Sequence, residues 1–197
     1  TPLYSSAASD VYKRQIQPGV QIQFADGFSL IVEGTLYAVG TSDKPITFTS
    51  SRPDPSPGVW IGIKFNGGRP ESFMMEHSVI TYAEKGITVQ SNGNVLIKKN
   101  NIINNGYGIF ITGWEVSSIS IIENSIVSNN EDGIQIYAHS ITGVDGWMMR
   151  SDIQNITVSS NTIETNGHDG IELYAYTATG TYDRQSNIFN ITISYNK

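Results

Sequence analysis

Cysteine is absent from the 197 residues, which excludes a disulfide framework, a thiolate metal site and a thiol nucleophile. Clustered positive charge is also missing. The 12 Lys and Arg are scattered, and Lys98-Lys99 is the one adjacent basic pair after the first 15 residues. With a formal net charge of −6, this makes nucleic acid a poor partner, because neutralising phosphates takes a concentrated basic face. No apolar run approaches the roughly 18 residues of a membrane span, so no membrane insertion is expected. No charged segment followed by an apolar one opens the chain. Runs of Ala, Leu, Glu and Lys that would build helices are lacking too. What is plentiful is Gly (19 residues), Asn, Ser, Thr and Ile, with 39% hydrophobic residues and only 15% charged. That composition suits short strands joined by tight turns, in an all-β chain with enough apolar material for one folded unit.

A period runs through most of the chain. Gly-Ile-x-(aliphatic or Phe) recurs at Gly62, Gly86, Gly108, Gly133 and Gly170, at intervals of 24, 22, 25 and 37 residues. Between these lies aliphatic-x-x-Asn-x-Ile-x-x-Asn, at Ile97/Asn100/Ile102/Asn105, Ile121/Asn124/Ile126/Asn129 and Val158/Asn161/Ile163/Asn166, and it begins again at Ile193/Asn196. From the first Asn to the next Gly of the Gly-Ile pair is 8, 9 and 9 residues, so length varies only after the Gly-Ile segment. Alternate side chains of a strand face opposite ways, and no unit of two or three short strands can bury its apolar side alone. Successive units must therefore stack, each strand adding in parallel to its counterpart one turn earlier, as a β-helix. Stacking predicts two inward columns of asparagine, 100/124/161 and 105/129/166, whose amides satisfy buried polar groups at the corners. A glycine before each Ile fits a corner needing either positive φ or close backbone approach. By alignment of Met74/His77/Val79 with Ile97/Asn100/Ile102, His77 is expected to substitute for a ladder asparagine.

The looser alternation of Gly19–Phe24, Leu30–Leu36, Pro45–Ser50 and Trp60–Gly62 reads as the first turns of the same helix. Residues 1–15 share nothing with the pattern and are expected to be a non-native or disordered leader, leaving 16–197 as the β-helix. The absent initiator Met and the stop inside a repeat at Asn196-Lys197 lead us to expect a piece of a longer protein, truncated at its C-terminus.

These repeats resemble the pectate-lyase-like right-handed β-helices, in particular those shared by carbohydrate-binding proteins, sugar hydrolases and NosD-like proteins. The opening Pro18-Gly19-Val20 through Pro45-Ile46-Thr47-Phe48-Thr49-Ser50 is similar to bacterial and archaeal surface proteins of this type. The resemblance covers about residues 16 to 197 and implies a single-stranded right-handed parallel β-helix of about six to seven turns. It also implies a secreted or cell-surface location. The matched residues are those of the scaffold, and no catalytic motif of a lyase or hydrolase matches position by position.

If Gly133 and Gly170 stack in register, Glu131 meets His168, Asp132 meets Asp169, Gln135 meets Glu172, Tyr137 meets Tyr174 and His139 meets Tyr176. Paired carboxylates repel unless solvent screens them, one is protonated, or a cation lies between. Three readings follow: a solvated acidic rim, a calcium site at Asp132 and Asp169, or an acid/base pair for glycoside cleavage. Candidate catalytic residues are Asp132, Asp169, His168, Glu172 and Arg150. The variable stretches after Gly-Ile should emerge as loops on one side of the helix, carrying Trp114, Glu115, His139, Asp145, Trp147, Met148, Met149, Arg150, Asp152, Tyr174, Tyr176, Tyr182, Asp183 and Arg184. The candidate substrate-binding residues are Trp114, Tyr137, His139, Trp147, Tyr174, Tyr176, Tyr182 and Arg184. Their rings either receive sugars or fold the loops onto the scaffold. Arg150 and Arg184 could neutralise a uronate; His139 with Met148 and Met149 could form the soft-metal set that the NosD resemblance invites. The leading expectation is a non-catalytic extracytoplasmic module that binds carbohydrate, as a polysaccharide or a cell-surface glycan, or mediates surface adhesion through loops on one side. The competing one is a polysaccharide lyase or glycoside hydrolase. Asn155-Ile156-Thr157 and Asn190-Ile191-Thr192 satisfy the rule for N-glycosylation acceptors, and they recur because the repeat recurs.

Overall fold

The computed structural model describes residues 13–66, 72–90, 93–140, 149–177 and 184–197. Among them, 19 strands wind in six turns of three, followed by the first strand of a seventh. The first two turns are β1 (Lys13–Ile16), β2 (Gln21–Phe24), β3 (Ser29–Val32), β4 (Thr35–Val39), β5 (Ile46–Ser50) and β6 (Trp60–Phe65). The next two are β7 (Ser72–Glu76), β8 (Ser78–Thr81), β9 (Ala83–Val89), β10 (Asn94–Lys98), β11 (Asn101–Ile103) and β12 (Tyr107–Gly113). The last are β13 (Glu115–Ile122), β14 (Ser125–Val127), β15 (Ile134–Ser140), β16 (Met149–Ser159), β17 (Thr162–Glu164), β18 (Ile171–Thr177) and β19 (Arg184–Ser194). Each strand pairs in parallel with the one three places away, giving one sheet of seven strands (β1 to β19) and two of six, from β2 to β17 and from β3 to β18. This is the expected parallel β-helix. Its first strand starts at Lys13, three residues before the expected boundary at 16, and pairs with Thr35–Ala38.

Inside the coil, like residues pile into columns. Ile63, Ile87, Ile109, Ile134 and Ile171 align one above another in the third sheet, and the first four are fully buried. Met75, Ile97, Ile121 and Val158 make an equivalent column in the first sheet, and Ile80, Ile102, Ile126 and Ile163 one in the second. Each buried Ile contributes about 1.5–3 kcal/mol of transfer free energy, so the stacks hold successive turns together. At the N-terminal end, Phe24 and Trp60 stack at 4.2 Å between ring centroids, and the Trp60 indole N–H donates to Thr81 O at 2.8 Å.

The asparagine columns close the corners. Asn124 Oδ1 accepts from the Asn100 backbone N–H and side-chain Nδ2 at 2.9 and 3.0 Å, and Asn161 Oδ1 accepts from both nitrogens of Asn124 at 2.8 and 3.0 Å. The second column, Asn105, Asn129 and Asn166, repeats this bonding, and Asn196 continues the first. The residue just before each ladder asparagine turns the chain through left-handed backbone: Lys99, Asn104, Glu123, Ser128, Ser160, Thr165 and Tyr195 have φ of 53–58°.

This pattern corrects the reading of His77. The neighbour of Ile97 is Met75, not Met74, and it is the Ser78 N–H that donates to Asn100 Oδ1 at 2.9 Å. His77, with φ of 49°, sits in the left-handed column with Lys99 and Glu123. Both Met74 and Met75 are apolar, so composition did not distinguish the inward one; burial does, since Met75 is fully enclosed. The repeating glycines at 86, 108 and 133 serve close approach and not positive φ. A Cβ on Gly108 would lie 2.4 Å from the Gly133 carbonyl oxygen, and one on Gly86 2.7 Å from that of Gly108.

Candidate functional site

The outward face of the third sheet carries Tyr137, His139, Glu172, Tyr174 and Tyr176 of the predicted residues. In β15 and β18, Ile134, Ile136 and Ala138 are buried, and Ile171, Leu173 and Ala175 pack on the same core. Strand alternation therefore turns Gln135, Tyr137 and His139, and beside them Glu172, Tyr174 and Tyr176, outward. The predicted register holds pair by pair: Gln135 with Glu172, Tyr137 with Tyr174, His139 with Tyr176. His139, Tyr174 and Tyr176 lie on strands, not on loops as expected, because the period-two pattern runs on past the Gly-Ile motif to Ser140 and Thr177.

Four rings stand nearly parallel, stacked one against the next. Tyr137 stands 4.9 Å from His139 at an interplanar angle of 8°, and 5.5 Å from Tyr174 at 11°; Tyr174 stands 6.2 Å from Tyr176 at 9°. Tyr174 and Tyr176 are 48% and 43% exposed. One turn earlier, Thr112 Oγ1 lies 3.4 Å from His139 Nδ1. Gln90, Thr112, Gly113, Trp114 and His139 line an adjoining depression of about 310 Å³. Trp114, 75% exposed at the bend into the first sheet, forms its edge.

The acidic residues gather where the chain enters this sheet. The His168 ring Nδ1 is 3.1 Å from Glu131 Oε2. Asp132 is buried, and its Oδ1 accepts the backbone N–H of the exposed Asp169 at 2.9 Å. Burial pushes the Asp132 carboxyl above its usual range against that hydrogen bond, and Glu172 and Asp169 push it further. Gln135 Nε2 donates to Glu172 Oε2. Next door, burial raises the Tyr107 phenol, reinforced by Glu131, Asp132, Glu172 and Glu84. The Lys85 ammonium lies 4.8 Å from the centroid of Phe110 and 5.9 Å from that of Tyr107.

For calcium, the two aspartates do not fit as a facing pair. One oxygen of Asp132 is committed to an amide, and among the described residues no three His, Asp or Glu converge on a point. No step is assigned to a metal here. Arg150 and Arg184 enter by backbone alone, at the starts of β16 and β19 in the first sheet, where Arg150 faces Gln185 and Arg184 faces Met149. Trp147 and Tyr182, with Asp145, Met148 and Asp183, lie outside the described residues, and with Met148 goes the proposed soft-metal set. Asp152, expected in a loop, is a buried member of β16 whose Oδ1 accepts from Asn187 Nδ2 at 2.9 Å.

Sequence reasoning missed two features. Lys85, Tyr107 and Phe110 extend the outward face by two turns, and the signal was their position: Lys85 and Tyr107 immediately precede the Gly of the Gly-Ile motif, as Asp132 does, and Phe110 lies two residues after it, as Gln135 does. The other is a polar groove of about 410 Å³ along the corner between the first and second sheets, lined among others by His77, Lys99, Asn100, Glu123 and Ser160. There Lys99 Nζ sits 3.9 Å from Glu76 Oε1 and 3.8 Å from Glu123 Oε2.

Residues 44–146, more than half of the chain, match the family described as the right-handed beta helix region. The protein belongs to that family, and its coil is the right-handed parallel solenoid. No curated protein and no solved structure matches the chain.

Proposed function

We propose that this β-helix is a non-catalytic carbohydrate-binding module of an extracytoplasmic protein, secreted or displayed at the cell surface. A polysaccharide or cell-surface glycan is its partner. The observation that carries the reading is the parallel stack of Tyr137, His139, Tyr174 and Tyr176 along the sheet, two of its tyrosines close to half exposed. Flat rings with polar tips match the apolar face and hydroxyl rim of a sugar. Because the rings stand on paired strands, little ordering entropy is lost when a ligand docks.

Binding to a panel of soluble polysaccharides by affinity electrophoresis and calorimetry tests this. Tyr174→Ala and Tyr176→Ala should each weaken affinity by about fivefold or more, the loss expected for an aromatic contact worth about 1 kcal/mol or more. Unchanged affinity in both variants refutes it. The competing reading, a polysaccharide lyase or glycoside hydrolase, rests on the buried Asp132 with its raised carboxyl beside Glu172. New reducing ends or unsaturated products, abolished by Asp132→Ala or Asp169→Ala, would establish that reading instead.

A further inference from the structure

Resting on the carbohydrate reading above, we infer that the sheet takes a glycan free of acid groups and favours one whose sugars carry protonated amines. The molecule itself shows the geometry. On this same outward face, two turns before β15, the Lys85 ammonium is seated 4.8 Å from the Phe110 ring centroid and 5.9 Å from that of Tyr107. The Tyr107 hydroxyl feels four carboxylates, Glu84, Glu131, Asp132 and Glu172. A cation over an aromatic face within a negative field is thus already accommodated there.

At β15 and β18 the surroundings recur. Tyr137 and Tyr174 supply the rings. Glu172 stands outward two residues before Tyr174 on the same strand, with Gln135 donating to one of its oxygens. Glu131 and Asp169 add charge at the strand entrance, offset by His168. In the register column that begins with Ile31 and Lys64, the positions that follow are Thr88, Phe110, Gln135 and Glu172, so the side chain next to the stacked rings is a carboxylate. A sugar ammonium brought beside the half-exposed Tyr174 meets an aromatic ring and the Glu172 carboxylate together. A uronate laid there meets like charge.

The test uses the full chain and three soluble oligosaccharides: chitosan oligomers in mildly acidic buffer, the same oligomers fully N-acetylated, and oligogalacturonate. The amine form should bind most tightly and the uronate least, and added salt should erase the advantage of the amine form. Glu172→Gln should lower affinity for the amine form about threefold to fivefold, the range of a partly exposed ion pair, and leave the acetylated form unchanged. If oligogalacturonate binds as well as the others or better, or if N-acetylation changes nothing, the inference fails while carbohydrate binding stands. If none of the three binds, the carbohydrate reading and this inference fall together.

Discussion

Replacing Asn124 by alanine strikes the ladder at its centre. Asn124 is 2% exposed, and its side chain accepts from both nitrogens of Asn100 and donates to Ile97 O at 2.9 Å and to Asn161 Oδ1 at 3.0 Å. Alanine removes all four bonds. It strands the Asn100 N–H in a dry interior, while Ile97 O stays in the β10–β13 ladder, Asn161 Oδ1 keeps the Asn124 backbone N–H and Asn100 Nδ2 keeps Met75 O. Four net bonds at about 1 kcal/mol each give a loss of about 4 kcal/mol, of which the orphaned Asn100 N–H accounts for about 1–3 kcal/mol. That is a large share of the 5–15 kcal/mol typical of a folded domain. At the open end the same substitution should do less: Asn166 is only half-buried, and its side chain serves Asn129 and Ile126 alone among the described contacts. Urea titration followed by circular dichroism should rank the variants Asn124→Ala, then Asn166→Ala, then the exposed control Asn101→Ala, which should stay within about 0.5 kcal/mol of the parent. A cost below about 1 kcal/mol for Asn124→Ala, or a larger one for Asn166→Ala, would refute the view that the ladder holds the turns together.

Gly108→Ala should destabilise the coil by about 3 kcal/mol or more, since its Cβ would press on backbone that has little room to move; a thermal melt within two degrees of the parent would contradict that. Thr165, a β-branched residue held at φ of 54°, should gain about 1 kcal/mol on Thr165→Asn, read from the urea midpoint. Asp132 carries a carboxyl raised in the folded state, so the native form holds its proton more tightly than the unfolded chain. Its contribution is therefore present below the unfolded carboxylate range and is lost as pH rises through the raised value. Asp132→Asn keeps an oxygen for the Asp169 N–H, so its melting temperature should exceed the parent's at neutral pH, with the gap closing in acid. A pH-independent gap would argue against burial of the charge.

The period was legible because each turn repeats the same inward residues, and Ile and Asn at fixed offsets have few other places to go. Register was legible wherever two copies of the motif could be compared: the pairs from Gln135/Glu172 to His139/Tyr176 follow from aligning Gly133 with Gly170. At residue 77 the alignment slipped by one, since Met74 and Met75 are both apolar and no asparagine marks the corner. The glycines were ambiguous for a different reason. Positive φ and close approach select the same residue, and only the neighbouring carbonyl distinguishes them. Nothing in the local sequence announced that Lys, Glu, Ser and Thr would occupy left-handed backbone, because the ladder's hydrogen bonds and not local preference hold them there. The rings at 139, 174 and 176 were singled out but set on loops, since length variation after the Gly-Ile motif hid the alternation that continues the strands.

Everything in the binding face depends on residues 37 apart in sequence lying side by side. The cysteine-free background allows a direct measurement with a short bis-thiol reagent. In Gln135→Cys/Glu172→Cys the paired positions are about 5 Å apart, whereas in Gln135→Cys/Tyr176→Cys four residues of strand add about 13 Å. The in-register pair should cross-link rapidly and the offset pair slowly or not at all; equal rates, or a faster offset pair, would contradict the stacked arrangement on which the site is built.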